Sequence, residues 1–222
     1  MNREEANLRM LRGGILAALP GELPLQLIVQ VGDALLAAPL LGVEVPWQNG
    51  RNEELIADLT KRARSNMLVG VGGIESVAEA ANALRMGTHF VTSHRFSAEL
   101  MAFSVEKDVL YIPGVMSGMA AHLVQQSGGR FVWLHTGGPG GPDFVASMRQ
   151  TLPGLEVIVT GDIPDEQIGA YAQCGATAVL LQNGLYTGVA QSSAGLIKRV
   201  RNLQKVWDNG TRLRGSVLGQ WN

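Results

Sequence analysis

The amino-acid sequence predicts a single α/β domain folded as a closed (βα)8 TIM barrel, and three observations predict it. Eight short apolar runs of strand type recur along the chain, with starts separated by 18 to 25 residues. The segments between them place apolar residues at helical spacing, as in ESVAEAANALRMG and DEQIGAYAQCG. The 222 residues, 46% hydrophobic and 17% charged, are enough for one large buried core. Alternating strand and helix calls for a parallel sheet covered by helices, and eight units in this length fit a closed barrel better than an open doubly wound sheet.

Taken in order, the chain should begin with an extra helix over Arg3 to Leu19, closing the barrel floor. The strands then follow: LQLIVQ from Leu25, VEV from Val43, MLVGV from Met67, HFVT from His89, VLYI from Val109, RFVWL from Arg130, LEVIV from Leu155 and TAVLL from Thr177. Gly42, Gly87, Gly128 and Gly175 sit where helices should end, because a residue without a side chain enters the left-handed region at little cost. Asn52 ahead of Glu53-Glu54, and Asp165-Glu166 after Pro164, place acids against the positive ends of helix dipoles. No linker divides the chain, so residues 1–222 read as one domain with a barrel core over about 25–205. The tail from Asn209 reads as loosely held.

Composition narrows the partners. With 18 Lys plus Arg against 19 Asp plus Glu, the formal charge is −1, and neither nucleic acid nor an anionic membrane is expected as a partner. The uncharged stretch from Gln167 to Ile197 is broken by Gln, Asn, Ser and Gly and lacks the sustained apolarity of a membrane span. No targeting peptide is read at the N-terminus. A single cysteine, Cys174, forms no internal disulfide, which fits a reducing compartment, so a cytoplasmic location is expected.

In a barrel of this kind the chemistry gathers at the C-terminal ends of the strands. The residues expected there include Glu44, Gly72-Gly73, Ser93-His94-Arg95, His135-Thr136, Gly161-Asp162 and Gln182-Asn183. Glu44, His94, His135 and Asp162 come from four strand ends and form a candidate constellation. Two His and two carboxylates can hold a divalent metal with one position open, or work as a metal-free acid and base pair. No local ligand spacing favours the metal, so no cofactor is expected. Each residue also has a structural alternative: a buried hydrogen-bonded carboxylate for Glu44, a satisfied core histidine for His135, a surface loop for His94 and Arg95, and a helix cap for Asp162. His89 and His122 read as structural. The run HTGGPGGP from His135 to Pro142 lacks the Lys-Ser/Thr ending of a phosphate loop and reads as a mobile lid over the barrel mouth.

Over roughly Leu25 to Tyr186 the strand ends resemble the family of 2-keto-3-deoxy-6-phosphogluconate and 4-hydroxy-2-oxoglutarate aldolases. The parallels are GVEV at Gly42 to Val45, GVGGI at Gly70 to Ile74, IPGV at Ile112 to Val115 and VTGDI at Val159 to Ile163. The resemblance implies a catalytic glutamate at Glu44, a small oxo acid as ligand, and a homo-oligomer, a trimer built through the helical exterior. It also implies departures. The family's Schiff-base lysine at the end of strand six is matched by Trp133, within Trp133-Leu134-His135-Thr136. Lys61, Lys107, Lys198 and Lys205 are the chain's four lysines, and all fall in helical or loop segments. The family's substrate-gripping arginine is matched by Gln48, with Arg51 three residues on. Its phosphate-cradling glycines are matched by Asp162 and by Leu181-Gln182-Asn183.

The resemblance therefore implies a divergent aldolase-family protein with lyase-like or enolising chemistry on a small oxo acid or related carbonyl compound, without a Schiff base. Glu44, His135 and His94 are the expected catalytic residues. Arg95, Arg51, Gly73, Thr136, Gly161, Asp162 and Asn183 are the expected substrate-binding residues. The alternative is a non-catalytic barrel, a pseudo-aldolase, that binds a metabolite or a partner.

Overall fold

The computed structural model describes residues 1–21, 25–48, 51–63, 66–135, 141–187 and 192–218. Among these, eight parallel strands close into a barrel in sequence order, each paired with its neighbours and the last with the first. The strands are β1 (Gly14–Ala18), β2 (Gly42–Pro46), β3 (Leu68–Gly72), β4 (Phe90–Ser93), β5 (Leu110–Val115), β6 (Phe131–His135), β7 (Glu156–Gly161) and β8 (Ala178–Leu181). The helices are α1 (Arg3–Met10), α2 (Leu25–Leu36), α3 (Glu53–Ala63), α4 (Val77–Arg85), α5 (Ala98–Glu106), α6 (Gly118–Gln126), α7 (Gly141–Thr151), α8 (Asp165–Gln173) and α9 (Ser193–Leu218). A 3-10 turn, Asn183–Tyr186, follows β8.

Seven strands lie where the apolar runs place them, and the first does not. LQLIVQ opens helix α2, while the opening strand is GILAA, cut from the segment expected to be one long N-terminal helix. The barrel accordingly begins at Gly14 rather than near residue 25. An apolar run of this length does not by itself separate strand from buried helix, and its continuation through Val31, Ala34 and Leu35 supplies the helical face. The tail from Asn209 is also corrected: α9 continues to Leu218, with Trp207 buried and Gly210 packed against α8. Gly87, Gly128 and Gly175 do have positive φ, whereas Gly42 lies inside β2, where a Cβ would meet the Leu68 carbonyl oxygen at 2.8 Å.

Side chains alternate between two cores, as the two-residue period of a strand requires. The outer core joins strands to helices through Val43, Val69, Val91, Val132, Val157 and Val179. The inner core fills the barrel with Leu16, Leu68, Phe90, Ile112, Phe131, Trp133, Ile158 and Leu180, and Ala6 and Met10 of α1 seal it from below. His89 belongs to this floor. Its Nδ1 accepts from the Val69 N–H at 2.9 Å, and burial pushes its pKa down to about 4, so it is neutral and structural.

Candidate active site

Glycines on the inner faces of β2 and β3 supply the site's geometry by leaving room for their neighbours. A Cβ at Gly70 would overlap the Phe90 ring, and one at Gly72 would overlap the Glu44 carboxyl. Phe90 fills the lower gap, and the upper gap accepts the carboxyl of Glu44, carried by β2 two residues above Gly42. Glu44 is 6% exposed. The Thr92 hydroxyl, on β4, donates to its Oε2 at 2.8 Å, and no ion pair forms to it among the described residues. Burial raises the carboxyl's pKa to about 8, against the lowering effect of the Thr92 hydrogen bond. A carboxyl so tuned exchanges a proton near neutral pH, as a general acid and base must.

Glu44 lies in a cleft of about 360 Å³ at the C-terminal mouth of the barrel. Gly73, His94, His135 and Asn183 line the same cleft, so with Glu44 five strand ends converge there as expected of this architecture. Both histidines are exposed to it, which separates His135 from a packed core histidine. Trp47, Thr92, Ser93, Trp133 and Gln182 also line it. Of these Thr92 and Trp47 were not singled out in the sequence. The signal for Thr92 was available, since it shares the inner face of β4 with Phe90.

Other expected site residues lie elsewhere. Gly161 and Asp162 line a second opening of about 260 Å³ between β7 and β8, with Asp165, Gly184 and Arg199. The two openings share Gln182. Thr160 is the inward residue of β7, and the chain turns away at Gly161, whose φ of 128° favours glycine. Asp162 is thus outside the Glu44 cleft. It does not cap α8 either, since the N-cap of that helix is Pro164, without a side-chain hydrogen bond. Arg51 and Arg95 are exposed and line neither opening. Arg95 contributes its backbone carbonyl, which accepts from the hydroxyls of Ser93 and Tyr111. Gln48 donates to the Gly21 carbonyl at the cleft rim. Thr136 and most of the expected lid lie outside the described residues, and its last two residues, Gly141 and Pro142, start α7.

The four-residue metal constellation does not assemble: among the described residues no group of three or more His, Cys, Asp or Glu is placed to hold a metal ion. The amines are equally distant from the chemistry. Lys61 on α3, Lys107 at the end of α5, and Lys198 and Lys205 on α9 are all exposed, and none lines the Glu44 cleft. In the middle of β6, Trp133, 8% exposed, is among the residues that line the cleft. Among the described residues no helix is long and apolar enough to cross a membrane.

Comparison with known proteins bears on this arrangement. A 2-dehydro-3-deoxy-phosphogluconate aldolase from Pseudomonas aeruginosa is 25% identical over 145 residues, spanning 65% of this chain and 66% of the relative's own length. Two solved structures share the fold. The 2-keto-3-deoxy-6-phospho-gluconate aldolase of Zymomonas mobilis superposes with a TM-score of 0.75 at 17% identity, over 90% of this chain and 96% of its own. The KDPG aldolase of Legionella pneumophila, solved with pyruvate captured as a covalent carbinolamine intermediate, gives 0.68 at 15% identity, over 94% and 97%. The family pattern for KDPG and KHG aldolase matches residues 15–201, from the second residue of β1 into α9. Because that span takes in nearly the whole barrel and all the cleft residues named above, the chain belongs to the KDPG and KHG aldolase family.

Proposed function

We propose that this protein enolises a small 2-oxo acid at the barrel mouth, by lyase-like proton transfer that does not pass through a covalent amine adduct. The observation that carries this reading is a buried Glu44 carboxyl, without an ion pair among the described residues, in a cleft that no lysine lines. In the Legionella aldolase, pyruvate was captured at low pH as a covalent carbinolamine intermediate. Such a carbinolamine needs a primary amine within reach of the carbonyl, and Trp133 offers none. Proton transfer next to a carbonyl needs only a base and a donor for the enolate oxygen. Ionised Glu44 takes the proton from the carbon beside the carbonyl, the C–H electron pair becomes the enolate, and His94 and His135 supply N–H donors to its oxygen. The neutral Glu44 carboxyl then returns the proton to carbon. In the adjoining opening Arg199 is already paired with Asp165 at 3.0 Å, and the Asp162 carboxylate disfavours a phosphorylated tail, so the favoured ligand is unphosphorylated.

The test is the exchange of pyruvate methyl protons in deuterated water, followed by NMR. The wild type should catalyse exchange and Glu44→Gln should lose it by about 100-fold or more. Borohydride added to wild-type protein with pyruvate should leave the chain's mass unchanged, and a reduced adduct would overturn the amine-free reading. Ligand binding without exchange, for pyruvate and a panel of 2-oxo acids, would instead establish the non-catalytic alternative.

A further inference from the structure

The carboxyl of Glu44 has two oxygens in different surroundings. Oε2 accepts from the Thr92 hydroxyl at 2.8 Å, while Oε1 accepts no hydrogen bond from a described residue and lies on the Gly72 side of the carboxyl, in a residue that lines the cleft. Thr92 is itself 1% exposed, on the inner face of β4, and its strand is fixed by parallel pairing of Thr92 with Ile112 of β5. Its backbone carbonyl accepts from the Ile74 N–H at 2.9 Å, so the main chain at this position is held as well. The donor is therefore delivered by rigid sheet. Space for the carboxyl exists only because Gly72 lacks a Cβ.

From this arrangement we infer that Thr92 is a positioning residue, whose hydroxyl occupies Oε2 and so leaves Oε1 as the oxygen that exchanges the proton with the ligand. The inference rests on the enolising role of Glu44. A carboxyl held at one oxygen has a single productive orientation, which removes the rotation that a lone buried carboxyl would retain. The bond also favours the ionised form, opposing burial, and so keeps the carboxylate available as a base. The titratable groups facing Glu44 across the cleft are His94, beyond β4, and His135, at the end of β6; Tyr186 lies behind β1, bonded through its hydroxyl to the Ala18 carbonyl at 2.7 Å.

The experiment combines Thr92→Val, which keeps the shape and removes the hydroxyl, with Thr92→Ser, which keeps the hydroxyl. The Glu44 carboxyl band is titrated by infrared difference spectroscopy, assigned by its absence in Glu44→Gln, and the pH profile of pyruvate proton exchange is measured alongside. Thr92→Val should raise the midpoint of the band by about one unit, shift the exchange profile the same way, and lower kcat about 10-fold with KM little changed. Thr92→Ser should restore midpoint and rate. An unmoved midpoint in Thr92→Val, or a serine variant that behaves like the valine one, overturns the positioning role. The band is read without turnover, so absence of exchange in the wild type would sink the enolising reading separately from this one.

Discussion

A carboxylate is costly to bury, and Glu44 shows where that cost falls. Its pKa, raised from 4.5 to about 8, means that the folded state holds a proton that the unfolded chain has already released. The sign is that of an acid raised on folding: the associated stability is complete below the unfolded pKa and is lost as pH rises to the folded one. Between about pH 4.5 and 8 the wild type should therefore lose on the order of a few kcal/mol, while Glu44→Gln, which carries no ionisable group, should not. Urea denaturation of both proteins at pH 5 and pH 9 checks this, with the glutamine variant the more stable at the alkaline end. Trp133 offers the complementary test, because it lines the Glu44 cleft and the proposed amine-free chemistry rests on the absence of a lysine there. Trp133→Lys should cost up to about 3–5 kcal/mol of stability through lost burial, yet give a borohydride-trapped pyruvate adduct that mass spectrometry detects. Failure to trap would mean that the β6 terminus does not reach the carbonyl, and the argument from the missing lysine would lose its force.

Among the elements, those with strong local signals were legible and those set by packing were not. VEV, MLVGV and LEVIV read as strands because β-branched residues bounded by Gly or Pro suit a sheet buried on both faces. GILAA was hidden, since Ala and Leu after a polar helix look like more helix, and only its pairing with β2 and β8 makes it a strand. The site was legible to a similar degree. Glu44, His94 and His135 follow from strand ends, whereas the separation of Asp162 depends on a turn at Gly161 that periodicity does not reveal. The tail from Asn209 reads as loosely held for the same kind of reason. In the fold, Gly210 is the contact that lets α9 approach α8: a Cβ there would overlap the Gly169 carbonyl oxygen and come within 2.9 Å of the Ala172 Cβ. Helix propensity alone predicts that Gly210→Ala gains about 0.5–1 kcal/mol. Overpacking predicts a net loss of about 1–3 kcal/mol, and this outcome is expected from chemical denaturation. A stabilised variant would show that the two helices are not in close contact.

For the molecule as a whole, the barrel assigns stability to its floor and proton transfer to its mouth. Ala6 and Met10 of α1 pack beneath Leu16, Leu68, Phe90 and Phe131, all apolar, and Met10 is fully buried. Glu44 lies outside that cluster, on the polar side of the inner core where glycines and hydroxyls replace large side chains. The two ends should therefore perturb stability differently with pH. Met10→Ala removes buried surface and leaves a cavity, at a cost of about 2–5 kcal/mol that involves no proton. Its stability curve should lie below that of the wild type by a constant amount across pH 5 to 9, falling through the same window, because Glu44 keeps its surroundings. Glu44→Gln should instead flatten the curve, and the double variant should show both effects added to within about 0.5 kcal/mol if floor and mouth are independent. Denaturation midpoints of the four proteins, collected over that pH range, decide the matter. A fall that moves along the pH axis when Met10 is truncated would mean that packing at the floor reaches the carboxyl, so that the barrel behaves as one coupled core.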